Sequence, residues 1–513
     1  GDVYKRQIYT LNFHIRYIKF ALKIEILFLH NRYMTSLWKN YDANSSYDEY
    51  LTPEKKLRRE AKIISSILDK HGKKKLQEID RNCMSTIDSR GINFKVYSAD
   101  KKAAEEKKWP LDIIPRIVLK SKWNKVKKGL IQRSKAINLF IDDVYNKQRI
   151  FKDKIIPENI VFKSKNYLKQ CEGFSPKRKI WSHISGIDLI RNINGDFLVL
   201  EDNLQVPSGV SYMLENRMVM SQVFPQIFTR YRVSPISQYC NRLYHCMEEA
   251  IPYQTKNPHM VVLTPGIYNS AYFEHSFLAE QMGVALVEGK DLYVENDKVY
   301  MKTISGGIRV DCIYRRLNDT FLDPKAFYKG SLIGVPGLFK AYRKGNVAIL
   351  NAPGTGFADD KLIYSYMPEI IKYYLGEDPK LQQVETFRCF EKNQCDHVIE
   401  NIGKMVVKPA DGSGGYGIMI GPKAKLKERN IFRKRIMDNP RNYIAQPLEI
   451  LSTTPTLQGD LFEPRHQDLR PFILSGRDTY VTMGGLTRVA LKKGSTIVNS
   501  SRGGGSKDTL IVE

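Results

Sequence analysis

Hydrophobic spacing divides the chain into a helical first part and a later region of short strands. Residues 52–80 carry apolar positions at helical intervals amid dense charge, and Thr52 followed by Pro53 predicts a helix start. "WPLDIIPRIV" (109–118) follows, and then "GLIQRSKAINLFIDDVY" (129–145), again with helical spacing. Residues 34–170 therefore read as a largely helical N-terminal region. From His183 the pattern changes. "IDLIR" and "DFLVLED" are two short apolar runs around the turn "NING", which predicts a hairpin, with a helix following from Ser211.

Further on, the strand "HMVVLTPG" (259–266), the helix "SAYFEHSFLAEQMG" and the strand "VALVEG" form a βαβ unit, which implies a parallel sheet. "RVDCIYRRL" (309–317) supplies a third strand. Residues 255–350 thus read as a small Rossmann-like subdomain, and the lack of GxGxxG excludes a dinucleotide site there. "NAPGTGFADDKLIYSYMPEIIKYYLG" (351–376) is a loop feeding a helix, and strands alternate with turns from there to residue 513. The fold class is α/β (α+β). The divisions are 34–170, 171–254, 255–350 and 351–513.

Length and charge add bounds. A chain of 513 residues with 42% hydrophobic positions can fill two to four cores. The net charge of +26 could mark a polyanion partner, but the charge is spread along the chain. Runs such as "KSKWNKVKKG" (120–129) read as solvated faces, and no nucleic-acid-binding signature is present. No dedicated nucleic-acid partner is expected. Seven scattered cysteines without a CxxC pair suit a reducing, cytoplasmic setting with inert thiols. "GDVYKRQ" reads as a translated adapter and Met34 as a start, so residues 1–33 are set aside as a non-native leader. Its apolar stretch is broken by His14, Arg16, Lys19, Lys23 and Glu25, too often for a membrane span. No membrane partner is expected, and the sequence is silent on oligomeric state.

The candidate chemistry centres on "VVKPADGSGGYGIMI" (406–420). Lysine precedes the glycines, so this is not a P-loop, and no HRD or DFG follows as in a kinase. The order strand, lysine, glycine hairpin, strand suits a phosphate cradle. Lys408 is placed for the α/β-phosphates, and the backbone N–H groups of Ser413, Gly414 and Gly415 for the distal ones. "NYIAQPLEI" (442–450) is a strand entering a linker suited to adenine around Gln446 and Leu448. "RHQDLRPFIL" (465–474) puts Asp468 and Arg470 on one side of a strand, "GGLTRVAL" (484–491) brings Arg488, and Asn499 precedes a last flexible turn. The hard ligands that a magnesium nucleotide needs lie upstream. Glu201 and Asn203 share a strand face, and Asp188 stands across the hairpin turn from them.

This set resembles the ATP-grasp superfamily, with the metal hairpin some 200 residues before the glycine loop rather than after it. The chain looks like a circularly permuted ATP-grasp protein of type 2, related to glutathionylspermidine synthase-like ligases. "VLEDNLQVPSGVSYMLENR", "LTPGIYNSAYFEH", "YRRLNDTFLDP", "NAPGTGFADDK", "DLRPF" and "NSSRGGGSKDT" carry the likeness. The resemblance implies an ATP-grasp core with a Rossmann-like pre-ATP-grasp subdomain, and ATP and Mg2+ as cofactors. It implies a ligase that joins a small-molecule or peptide carboxylate to an amine through an acyl phosphate. Asp188, Glu201 and Asn203 then hold magnesium, and Lys361 and Lys408 hold phosphates with help from Asn499. Arg470 and Arg488 serve the acyl phosphate, and Arg315 and Arg316 serve substrate anions. Many ATP-grasp ligases carry an arginine two residues before the metal-binding aspartate. Here that position is Gly186, with Arg191 or Arg316 as substitutes. A phosphotransferase and an inactive ATP-binding scaffold are the alternatives.

Overall fold

The computed structural model describes residues 36–38, 41–43, 46–96, 105–412, 417–496, 498 and 504–513. The expected leader, Met34, Ser413, Gly414, Gly415 and Asn499 lie outside the described residues.

The predicted hairpin is the centre of the molecule. Ile184–Arg191 pairs antiparallel with Phe197–Asn203, and Asp188 stands opposite Glu201 beside a bulge. Every residue of Ile184–Arg191 is buried, which places it inside a large sheet rather than at an edge. That sheet has nine strands. Thr479–Val481, Phe472–Ser475, Ile184–Arg191, Leu461–Arg470, Leu486–Val489, Gly505–Val512 and Leu111–Leu119 follow one another across it. Phe197–Asn203 attaches to Ile184–Arg191, and Thr453–Gln458 to Leu461–Arg470. Leu461–Arg470 therefore lies beside the metal hairpin although nearly the whole of two subdomains separates them in sequence.

The N-terminal region contains its two long helices, Lys62–Ser89 and Lys120–Tyr145, with two departures. The first helix does not begin at Thr52. Asp48 accepts hydrogen bonds from the Tyr50 and Leu51 N–H groups, and Lys55 N–H returns to Thr52 O, so this stretch is a tight turn. Leu111–Leu119 is a nine-residue strand within the region read as largely helical, and it runs parallel to Gly505–Val512. Its apolar run has no helical period, is buried on both faces and contains Pro115, which a helix interior rejects.

The βαβ unit forms as expected. Met260–Leu263 leads through the helix Tyr272–Met282 to the parallel strand Ala285–Val287. Cys312–Arg315 and Ala348–Leu350 complete a four-stranded parallel sheet. A three-stranded antiparallel ribbon spanning 292–309, not legible beforehand, is inserted between its strands.

The glycine-rich segment belongs to a separate four-stranded sheet ordered Phe387–Arg388, Tyr443–Pro447, Met405–Pro409, Met419–Ile420. The helices Lys392–Asn401 and Leu426–Asp438 cover it, and Val398, Val407, Phe432 and Ile436 fill its own small core. Separate cores under the central sheet and under this lid let the two sheets approach as independent walls of a cleft. All seven cysteines are free. Burial pushes Cys83, Cys240, Cys246 and Cys389 up to about 12, so these thiols are inert at neutral pH. No helix among the described residues is long and apolar enough to cross a membrane.

Candidate nucleotide site

A cavity of about 270 Å³ lies between the lid sheet and the central sheet. Asp188 and Glu201 reach it from the hairpin, and Asp468 and Arg488 from neighbouring strands. Lys361 comes from the start of the helix Lys361–Ser365, and Lys408 and Gly412 from the lid. Gln446, Pro447, Leu448 and Glu449 form the linker wall. Ile190, Leu200, Val384, Val406, Ile420 and Val498 make the rest apolar, as a flat base requires. Residues scattered from position 188 to 498 thus converge on one cleft.

Register explains the convergence. Lys408 pairs with Ile444, and Gln446 with Val406, so the lysine and the glutamine project from adjacent strands on one face. Lys408 Nζ donates to Gln446 Oε1 at 2.6 Å, and Thr386 Oγ1 accepts from Gln446 Nε2 at 3.0 Å. The Gln446 side chain thus orients the lysine. Lys361 Nζ donates to Gly412 O at 2.6 Å and lies 3.3 Å from Glu201 Oε2, tying the lid loop to the hairpin.

Burial is the largest influence on Lys408. With Lys361 nearby it lowers the ammonium to about 8, against the pull of Glu201 and Asp188. Nucleotide phosphates favour the charged form, so binding above pH 8 must take up a proton. Affinity for Mg-ATP is expected to be flat below pH 8 and to fall about tenfold per unit above it. Calorimetry at pH 7, 8 and 9 measures this, and Lys408→Arg should remove the dependence.

Asp188 has a second set of partners. Arg470 approaches it with Nε at 2.5 Å and Nη2 at 2.8 Å, and Arg488 Nη2 lies 2.8 Å away. Arg488 also donates to both oxygens of Asp468, its cross-strand neighbour, at 2.8 and 2.5 Å. Burial alone would raise Asp188, but the two arginines outweigh it and hold the carboxyl at about 2. Asp468 is raised, because its burial outweighs the help from Arg488. Glu201 is part-buried, and Lys361 outweighs the effect of that burial to lower it.

The donor set fits a hard cation in part. Glu201 and Asn203 share a strand face, and Asn203 Nδ2 is buried without a partner. The amide can present its oxygen there by a simple flip. Glu201 commits one oxygen to Lys361 and leaves the other open. Asp188 has both oxygens occupied by guanidinium groups. Among the described residues no group of three or more His, Cys, Asp or Glu side chains is arranged around a metal position. A magnesium ion here would take Glu201, Asn203 and phosphate oxygens, with Asp188 reaching it only by sharing a carboxylate oxygen that already accepts from Arg470 or Arg488.

Arg315 and Arg316, expected at substrate anions, and Arg191, the other substitute for the arginine missing at Gly186, are paired within the fold. Arg315 is fully buried, donates to the carbonyls of Asn351, Leu317 and Ala352, and pairs with Asp319 at 2.7 Å. Arg191 is bound to Glu49 and to Gly195 O behind the sheet. Arg316 pairs with Glu274 at 2.9 Å and donates to Pro207 O, Tyr314 Oη and Ser208 Oγ. Buried guanidinium groups need several acceptors each, and the fold supplies them internally. The place over Gly186 is taken by Arg470. A Cβ at Gly186 would meet Arg470 Cδ at 3.2 Å and Pro207 Cβ at 3.0 Å, so the missing side chain makes room for this arginine. Arg488 lines the cavity, and Arg470 holds Asp188 at its edge.

Sequence reasoning missed Asp359. Its carboxylate accepts from Leu204 N–H at 2.6 Å and Gln205 N–H at 3.3 Å, where the metal hairpin ends, and burial pushes it up to about 7. Its place in "ADDK" was the one available hint.

Comparison with known proteins identifies the family. A family model described as circularly permuted ATP-grasp type 2 matches residues 115–490. An uncharacterized protein of Synechocystis sp. is 48% identical over 476 residues, covering 93% of this chain and 98% of its own. A Frankia casuarinae protein named "Putative glutamate--cysteine ligase 2-2" is 39% identical over 469 residues, covering 91% of this chain and 54% of its own. Among solved structures, a glutathione synthetase-like effector from Globodera pallida in apo form superposes with a TM-score of 0.56. It shares 11% identity and covers 86% of this chain and 98% of its own, a likeness of fold. The chain belongs to the circularly permuted ATP-grasp type 2 family, with the mixed α/β fold and the order of segments that this membership entails.

Proposed function

We propose that this protein is an ATP-dependent carboxylate–amine ligase working through an acyl phosphate. The observation that carries the reading is the cleft in which Lys408 and Lys361 face Glu201 and Asp188 across an apolar floor. Family membership supports ATP use, and the printed name of the Frankia relative supports a small carboxylate and an amine as substrates. In this reading residues 34–170 are the helical region, 171–254 the metal-binding half, 255–350 the pre-ATP-grasp subdomain, and 351–513 the lid, linker and remaining core strands.

Magnesium, when bound, would neutralise the β- and γ-phosphates. Glu201 and Asn203 would hold it with Asp188 at its edge, and Lys361 and Lys408 would orient the phosphate chain. The lid backbone at Ser413, Gly414 and Gly415 would close over the distal phosphates, with Asn499 assisting, and Gln446 through Leu448 would line the base. A substrate carboxylate oxygen attacks the γ-phosphorus as the bond to the β-phosphate oxygen breaks, releasing ADP. The amine nitrogen then attacks the acyl carbon, phosphate departs, and the amine proton passes to solvent. Arg488 faces the phosphoryl group and Arg470 the developing acyl oxyanion. Catalysis is then chiefly positioning and charge neutralisation.

A screen of carboxylate and amine pairs for ADP release tests this. The expected result is Mg-dependent ADP formation that needs both substrates, with hydroxylamine trapped as a hydroxamate. A stable phosphorylated product formed without any amine would establish phosphotransfer instead.

A further inference from the structure

The segment "YFEH" (272–275) resembles the family's pattern, yet it takes no part in the nucleotide cavity. Glu274 belongs to the helix Tyr272–Met282 of the parallel-sheet subdomain and is fully buried. Its carboxylate leaves that subdomain and enters the start of the 14-residue helix Val210–Val223. Oε2 accepts from Gly209 N–H at 2.7 Å, Ser211 N–H at 3.1 Å and Ser211 Oγ at 3.0 Å. Oε1 accepts from Arg316 Nη2 at 2.9 Å. Arg316 grips the same loop from the other side, donating to Pro207 O at 2.7 Å and Ser208 Oγ at 2.5 Å.

The gripped loop leads to the site. Arg470 Nη1 donates to Ser208 O at 3.2 Å while its other nitrogens hold Asp188. Pro207 packs against Gly186 from the same side as the Arg470 side chain. Gly209 has φ +117, and a Cβ there would meet Leu486 Cδ2 at 2.9 Å, so only glycine fits this turn of the loop.

We propose that Glu274 is a positioning residue: with Arg316 it clamps the Pro207–Ser211 loop from the neighbouring subdomain, and the clamped Ser208 carbonyl aims Arg470 at Asp188 and the cleft. The carboxylate does double duty, capping three donors at a helix start and neutralising a buried guanidinium. Coupling therefore runs from the parallel-sheet subdomain to an arginine of the ATP-grasp core. The ligase reading is needed for the activity readout alone.

The test uses the full chain labelled with 15N-arginine, with the Arg470 Nε–H resonance assigned by its loss in Arg470→Lys. In Glu274→Gln, hydrogen exchange at Arg470 Nε–H should quicken about tenfold or more, while Arg488 Nε–H, bonded to Asp468, stays within twofold. Mg-ATP affinity should stay within about twofold, and turnover should fall about tenfold in kcat at constant KM for ATP. E274M/R316M replaces the buried pair with apolar groups that restore packing without the clamp, so it should melt near wild type yet show the same loosening. Unchanged Arg470 exchange in either variant would overturn the proposal, as would equal loosening of Arg488 together with lost ATP affinity. If the wild type releases no ADP with any substrate pair, the ligase reading fails and the exchange result still decides the clamp.

Discussion

Glu201→Ala and Lys408→Ala are each expected to lower Mg-ATP affinity at least about 100-fold in calorimetry, although the two residues belong to different sheets. Lys408 is buried, and among the described residues its ammonium meets Gln446 as its one side-chain hydrogen-bond partner, which leaves its charge for an anion. Truncation leaves the phosphates desolvated without a counter-charge, which costs more than a lost surface contact. Glu201 faces it from the hairpin with an oxygen free for a cation, and its other oxygen steadies Lys361. Removing Glu201 therefore takes away a metal ligand and releases a phosphate lysine together. Loss in both variants establishes one composite site. Wild-type affinity in Glu201→Ala would separate the hairpin from the nucleotide and overturn the assignment of its metal ligands.

Asp188→Asn is expected to destabilise the protein by about 3–5 kcal/mol, read as a fall of several degrees in melting temperature without nucleotide. Asp188 is the shared counter-ion of Arg470 and Arg488, and both arginines are at most 14% exposed. Asparagine leaves Arg488 with Asp468 and Arg470 with one carbonyl, so net positive charge stays buried. Glu201→Gln, by contrast, should melt close to wild type, since Glu201 has one cationic neighbour at 3.3 Å and a part-exposed side chain. The pH dependence has a definite sign. Asp188 is held down to about 2, so its contribution is complete above the ordinary carboxylate range and is lost as pH falls from about 4 toward 2. A melting temperature for Asp188→Asn within 1 °C of wild type would show that its arginines are satisfied without it.

Much of the site was legible because its parts are local patterns. "NING" between apolar runs specifies a two-stranded hairpin, and its register set Asp188 opposite Glu201. Lys408 followed by glycines announced a phosphate cradle, and "HMVVLTPG" with its helix announced a parallel sheet. These depend on backbone pairing and side-chain alternation, which a few neighbouring residues dictate. The sequence by itself determined the central hairpin, the βαβ unit and the residue types that reach the cleft.

Tertiary structure alone decided the partners of the arginines. The family resemblance offers Arg315 and Arg316 for substrate anions and Arg191 for the place at Gly186, and burial gives Arg191, Arg315 and Arg316 internal acceptors at Glu49, Asp319 and Glu274. Arg470 fills the space over Gly186 from a strand near the far end of the chain. Leu111–Leu119 became a strand because Gly505–Val512 lies beside it, a pairing that no local period encodes. A guanidinium group is long and its partners can come from any element, so its role depends on packing between distant segments rather than on spacing.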